Sequence, residues 1–337
     1  MNVTTLGIDL AKDVFQLHGT DSHGKAVLTK RVTRAKLMET VANIPPCLIG
    51  LEACASAYYW QRELEKFGHT VKLIAPQFVK PYVKSNKNDA HDAEAICEAV
   101  TRPGMRFVPA KSVAQQDIQA VHRIRERRVK ERTALLNQIR GLLAEYGIVI
   151  PLRKHAVRQA LPRILEDANN GLTVLAREFV AELYEELQAL DCAVGAYDAK
   201  IERLFKANSL CRRLAKLEGV GPVTATALVA AGDARAFHNG RQMAAWLGLV
   251  PRQYSSGGKN VLLGISKRGD RYLRMLLIHG ARAALAAAKH KQDARSRWIT
   301  ALAARRGANI AAVALANKNT RILWALMAHD EEYRKAS

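Results

Sequence analysis

Apolar residues in the first third of the chain recur with period two, then at helical spacing, then with period two again. "TTLGIDLAKDVFQLHGT" (4–20) predicts a strand, a tight corner and a second strand, and "KAVLTKRV" (25–32) adds a third alternating run. Residues 4–31 therefore predict an antiparallel meander. A helical stretch near 34–43 follows, then "PCLIGLEA", a short apolar run that predicts a buried strand with Glu52 at its exit. "AYYWQRELEKFG" has amphipathic helical spacing closed by Gly68, and "HTVKLIAP" predicts another buried strand. Meander, helix, strand, helix, strand is a mixed α/β sheet with helices packed on it.

The pattern then becomes helical. "VAQQDIQAVHRIRERRVKERTALLNQIRGLLAEYG" has no Pro or Gly before Gly141, and Leu135, Ile139, Leu142 and Tyr146 keep helical spacing. A Pro-bounded stretch, "PLRKHAVRQALPRILEDANNG", separates it from a second long helix at about 172–206. Leu172, Leu175, Phe179, Leu183, Leu187, Leu190, Val194, Tyr197, Ile201 and Leu204 give that helix a coiled-coil seam. The seam either folds back on the first helix or pairs with another copy of the chain. Further on, "LAKLEGVGPVTATALVAAGD" places Gly219-Val220-Gly221 before a helix starting near Pro222, a helix-hairpin-helix pattern. The expected domains are 1–110, 111–208 and 209–330.

Charge changes the picture. The chain has 337 residues, too many for one ordinary core, with 52 Lys plus Arg against 31 Asp plus Glu, a formal charge of +21. Such a surplus predicts a polyanionic partner, and nucleic acid is the usual one. No apolar run is long enough to span a bilayer, and "MNVTTLGIDLAK" carries charges where a signal peptide would be apolar. Five cysteines without a C-x-x-C pair predict reduced thiols in a cytoplasm rather than a zinc site.

The bases cluster. Arg123, Arg125, Arg127, Arg128, Lys130 and Arg132 outnumber the acids around them, so pairing within the helix is not expected to absorb the run. Phosphate contact is the expectation, against the alternative of a solvated helix face. Gly219 and Gly221 would let backbone approach a phosphate at the following helix N-terminus. In "GLVPRQYSSGGKNVLLGISKRGDRYLR", Ser-Ser-Gly-Gly reads by default as a flexible loop. Its flanking Lys259, Lys267, Arg268, Arg271 and Arg274 could surround a phosphate held near Ser255 or Ser256.

Four acids complete the set. Asp9 and Glu52 end two apolar runs, and Asp89 and Asp92 stand one turn apart at the head of a helix. Each alone has a structural reading as a turn residue, a cap or a partner of the helix dipole. If the two strands are neighbours, however, the four carboxylates converge and require cations. Oxygen-only ligands specify a hard ion such as Mg²⁺, and a pair of such ions activates the attacking oxygen and stabilises the leaving oxygen of a phosphodiester.

"GIDLAKDVFQLH", "GLEACASAYYWQREL" and "VKSNKNDAHDAEAI" together resemble the N-terminal DEDD domain of the IS110 family of insertion-sequence transposases, leaning to its IS1111 branch. Pro251 and Ser256-Gly257 match the P-x-x-x-x-S-G context of that family's C-terminal domain. The resemblance implies a RuvC-like, ribonuclease-H-type fold, with Asp9, Glu52, Asp89 and Asp92 as Mg²⁺ ligands and Ser256 as nucleophile. It also implies recombination of donor and target DNA through a 5′-phosphoserine link, guided by a non-coding bridge RNA. Homo-oligomers (dimer or tetramer) are implied too, with acids from one protomer and serine from another, acting at the bacterial nucleoid. Two other readings remain: a metal-dependent hydrolytic nuclease of junction-resolvase type, and a non-catalytic RNA-binding scaffold.

Overall fold

The computed structural model describes residues 2–84 and 88–334, leaving aside the side chain of Lys154. Ser85, Asn86 and Lys87, part of the third matching stretch, lie outside the described residues. The chain divides into two compact units, Met1–Lys111 and Ser112–Ser337.

The first unit carries β1 (Thr5–Asp9), β2 (Val14–Thr20), β3 (Ala26–Thr33), β4 (Leu48–Glu52), β5 (Thr70–Ile74) and β6 (Phe107–Val108). They form one six-stranded sheet in the order β3-β2-β1-β4-β5-β6. The first three strands are the antiparallel meander, while β1, β4 and β5 run parallel. β6 pairs antiparallel with β5 and is too short to leave an alternation in the sequence. Its helices are α1 (Leu37–Ala42), α2 (Ala57–Glu65), α3 (Pro76–Val79) and α4 (Asp89–Val100).

The two faces of the sheet differ because side chains alternate along a strand. Leu6, Ile8, Ile49 and Leu51 join Phe15, Leu17, Trp60 and Leu64 in one core. Gly7 and Gly50 face the other way, and α4 lies on them. A Cβ at Gly7 would meet the Ala93 carbonyl oxygen at 2.2 Å and the Cys97 nitrogen at 2.5 Å. One at Gly50 would meet Val100 Cβ at 2.9 Å and Ile96 Cγ2 at 3.0 Å. The helix backbone is seated directly on the strands, where no side chain fits.

The second unit comprises α5 (Val113–Ala144), α6 (Lys154–Glu166), α7 (Val174–Ala207), α8 (Ser209–Leu214), α9 (Pro222–Val229) and α10 (Gly240–Trp246). The hairpin β7 (Pro251–Gln253) and β8 (Leu262–Ile265) follows, then α11 (Arg271–Ala288), α12 (Ala294–Arg306) and α13 (Ala308–Ala328). α5 opens on a reciprocal cap between Ser112 and Gln115 and runs through Gly141. α7 folds back along it: Leu135, Leu136, Ile139 and Leu143 share a core with Leu172, Ala176, Val180 and Leu187. The seam is thus filled within the chain. Leu175, expected in it, is 70% exposed one residue inside the start of α7.

The Pro-bounded stretch is a helix as well. α6 carries Pro162 in its interior and adds Val157 and Leu161 to the same core. Proline normally marks a helix boundary, because it lacks the N–H and clashes with the preceding turn; here burial of an apolar stripe outweighs that cost. Asp191 of α7 ties the three helices together, accepting from both Arg132 of α5 and Arg158 of α6.

His122 of α5 is only 2% exposed and bridges two further helices. Its Nδ1 lies 3.0 Å from the Tyr272 hydroxyl and its Nε2 3.0 Å from Thr226 Oγ1. The Thr226 hydroxyl donates to the Pro222 carbonyl at 2.7 Å, so it accepts from Nε2–H, and Nδ1 accepts from Tyr272. That assignment requires a neutral imidazole. Burial pushes the His122 pKa down to about 4, and the charges of Arg125 and Arg123 add to the effect.

Two predictions follow from this packing. His122 titrates at its ordinary 6.5 when unfolded and at about 4 when folded, so the unfolded state binds the proton first. Stability of the second unit is full above pH 6.5 and falls as pH drops towards 4, by about 3 kcal/mol at 1.36 kcal/mol per pH unit. Urea unfolding of the wild type and His122→Gln across that range checks this: the variant is less stable at pH 7 but has the flatter slope. In the first unit, Gly7→Ala forces backbone apart and is expected to cost about 3 kcal/mol, the upper end of overpacking. Thermal unfolding followed by circular dichroism measures it, with Gly141→Ala, a helical position with open space at its Cβ, as the comparison.

Candidate active site

Parallel pairing of β1 with β4 brings Ile8 opposite Leu51, so Asp9 and Glu52 end adjacent strands. Asp9 lies two residues after Gly7 and Glu52 two after Gly50, which puts both acids on the face that α4 covers. α4 begins at Asp89, with the Asn88 side chain accepting from the Ala90 N–H as its cap. Asp89, Asp92, Ala93, Ile96 and Val100 form one stripe at spacings of three, one, three and four, so both aspartates extend the face seated on the strands. One carboxylate oxygen from each of Asp9, Asp89 and Asp92 lies within 4.8 Å of the others.

Glu52 stands one strand over and falls outside that trio. Cys54, two residues beyond it, was not singled out by any sequence motif. Burial pushes its thiol pKa up, and the charges of Glu52 and then Asp9 push the same way. Three carboxylates so close repel one another, and a hard divalent cation is the ligand their oxygen-only set fits.

Ser256 lies in the second unit, in structure more regular than the flexible loop expected. Lys259 N–H donates to the Ser256 carbonyl at 3.0 Å, and Gly257 (φ 55°) and Gly258 (φ 78°) form the two-residue turn of a β-hairpin. Positive φ at both central positions is the geometry that matches strand twist, and glycine adopts it without strain. The Ser255 hydroxyl accepts from the Val261 N–H at 3.3 Å, whereas the exposed Ser256 hydroxyl has no such bond among the described residues. Lys259, Lys267, Arg268 and Arg271 are exposed around the hairpin and the turn that follows it, with no ion pair among the described residues. Arg274 differs: it is 8% exposed and donates to the Leu247 and Arg268 carbonyls, both at 2.9 Å. That arginine holds the turn together and is withdrawn as a phosphate ligand.

The basic run of α5 is also more committed than expected. Arg123 and Lys130 share Glu126 at 3.7 and 2.8 Å, and Arg127 and Arg128 share Glu131 at 3.5 and 3.2 Å. Two carboxylates for four bases do fall short, but other elements supply more. Arg125 pairs with Asp198, Arg132 with Asp191 and Arg123 with Asp270. Arg125 and Arg132 thus clamp α5 to α7, while Arg127 and Lys130 remain 61% and 70% exposed. Gly219 (φ 87°) likewise has a packing reason, since a Cβ there would meet the Gly280 carbonyl oxygen at 2.6 Å. Gly221 precedes α9 with open space at its Cβ position.

Known proteins are similar to this chain along nearly its whole length. Residues 6–148 match a DEDD-type family described as "Transposase", and residues 211–298 match one described as "Transposase IS116/IS110/IS902 family". The first match contains all four acids and the second contains Ser256. A Pseudomonas aeruginosa protein described as "Probable family 20 transposase" is 52% identical over 99% of both chains. The transposase for insertion sequence element IS1111A of Coxiella burnetii is 51% identical over 99% of this chain and 92% of that one. The transposase for insertion sequence element IS1328 of Yersinia enterocolitica is 39% identical over 99% of each. Matched over 99% of its length by such relatives, this chain belongs to the IS110 family of transposases, enzymes of DNA transposition.

Proposed function

We propose that the chain cuts and rejoins donor and target DNA through a 5′-phosphoserine intermediate on Ser256, guided by a non-coding bridge RNA, with Mg²⁺ held by the acids of a RuvC-like first unit. The observation that carries this reading is the convergence of Asp9, Asp89 and Asp92 within 4.8 Å at the end of β1. Glu52, on the adjacent strand end, would complete the set. When bound, the ion neutralises charge on the reacting phosphate and polarises its oxygens.

Ser256 Oγ forms a bond to phosphorus as the P–O3′ bond breaks. The serine's proton is balanced by the one gained on the departing 3′ oxygen. A 5′-phosphoserine and a free 3′-hydroxyl result, and attack by an incoming 3′-hydroxyl reverses the step and joins new strands. The exposed tip of the hairpin lets Oγ reach a phosphodiester. Lys259, Lys267, Arg268 and Arg271 supply the charge that orients it. The open approach at Gly221, in a helix-hairpin-helix, would serve as a sequence-independent grip. RNA as a second polyanion fits the charge of +21. Assembly into homo-oligomers in the bacterial cytoplasm completes the proposal.

A hydrolytic nuclease, with water as nucleophile, is the second reading. It is favoured by the lack of any side-chain base hydrogen-bonded to Ser256 among the described residues. The two separate on a covalent adduct. DNA nicked near the cut loses the leaving strand by diffusion, so wild type is expected to yield a detergent-resistant protein–DNA band. Ser256→Ala abolishes that band while DNA binding persists, Ser255→Ala retains it, and EDTA suppresses it. Cleavage in Mg²⁺ with no adduct would establish hydrolysis instead.

Binding is expected to fall steeply with salt, because phosphates dominate it. Glu at Arg127 and Lys130, the two most exposed bases of the run, should flatten the slope of log K against log salt by roughly one to two. Filter binding from low to moderate salt measures this. An unchanged slope assigns the run to the solvated face of α5.

A further inference from the structure

The second unit holds a cavity whose lining includes neither the hairpin nor the basic run of α5. The cavity, of about 1340 Å³, opens between α10, α12 and α13. It exceeds the roughly 300–1,000 Å³ of a usual small-molecule pocket. Its lining combines Trp298 and Trp324 with Arg241, Lys318 and Arg321.

The two tryptophans differ in what they are free to do. Trp324 Nε1 donates to the Ala234 and Phe237 carbonyls, both at 3.1 Å, and its ring packs edge-on against His329. It is a wall. Trp298 is 38% exposed, and Lys318 Nζ lies 4.5 Å from its ring centroid. The indole holds a cation over its ring and keeps more than a third of its surface open, so a base reaching it meets aromatic surface and positive charge together.

Backbone packing gathers the other bases. A Cβ at Gly240 would meet Arg321 Cα at 2.7 Å, so α10 and α13 cross in direct backbone contact, with Arg241 and Arg321 at the crossing. Both arginines are exposed, and neither has an ion pair or hydrogen bond among the described residues. Two guanidinium groups lining one cavity and not engaged elsewhere are available to an anion. Of the lining acids, Asp293 caps α12 through Ser296 and Glu332 pairs with Lys216; Glu331 is the remaining carboxylate.

We infer that this cavity takes an unstacked nucleotide of a single strand, its base on Trp298 and its phosphate at Arg241 and Arg321. Aromatic faces beside a phosphate-binding charge are the features by which single strands are held regardless of sequence. A duplex, with its bases stacked inside, cannot use the indole. The site is independent of the covalent chemistry proposed for Ser256.

The intact chain is titrated with a short oligothymidylate, the matching oligouridylate and a duplex of equal length, following tryptophan fluorescence and anisotropy of a labelled strand. Wild-type fluorescence should be quenched by the single strands. Trp298→Leu should remove most of that quenching and weaken single-strand binding at least about fivefold, leaving duplex affinity within twofold. Arg241→Gln with Arg321→Gln, both at exposed positions, should weaken the same ligands while keeping the quenching at saturation. A loss confined to oligouridylate or to oligothymidylate would identify the strand as RNA or DNA. Equal losses for single strand and duplex, or quenching that survives Trp298→Leu, would overturn the assignment.

Discussion

The seating of α4 on the sheet is the constraint from which the acidic corner follows. Two strands bring a glycine to the helix-facing side, and each carries an acid two residues later on that same side. The glycines let the helix backbone lie where a side chain would otherwise stand. The acids then emerge just past the contact, where the first turn of α4 contributes Asp89 and Asp92. Hydrophobic burial of Ala93, Ile96 and Val100 holds the helix down. The repulsion among the carboxylates pushes it up. Apolar packing and three close carboxylates therefore meet within one helical turn.

The second unit uses charge differently. Its bases are only partly given over to solvent or partner, because several clamp helices to one another. Asp191 and Asp198 fix α7 along α5, and the neutral His122 links α5 to α9 and α11. Among the bases that remain outward are Arg127 and Lys130 on α5, those around the Ser256 hairpin, and the cluster near Trp298. A net charge of +21 indicates a polyanion partner, but the distribution of ion pairs decides which bases can reach it.

Much of the first unit was legible in the sequence because its signals are local. Alternation gave the meander, short apolar runs gave the parallel strands, and D-x-x-D marked the head of α4. Adjacency of β1 and β4 was only conditional there, since strand order is a long-range property. Gly7 and Gly50 went unremarked, because a glycine in a strand reads as a weakness until the helix it accommodates is known. α6 was hidden by Pro162, a local boundary signal overridden by tertiary burial. The Ser256 turn was hidden by a composition that flexible loops and tight hairpins share. The roles of Arg125, Arg132 and Arg274 depend on partners 59 or more residues away, or on buried carbonyls, and no spacing rule reports those.

The central claim is that Asp9, Asp89 and Asp92 form a strained divalent-cation site. It is tested most directly by the melting temperature of the intact chain as a function of Mg²⁺, compared between wild type and Asp92→Asn. Without divalent ions, relief of repulsion should make the variant melt at or above wild type. Added Mg²⁺ should raise the wild-type temperature by ligand linkage and raise the variant much less. An equal rise in both proteins, or a variant that is less stable in the absence of the ion, would contradict the account.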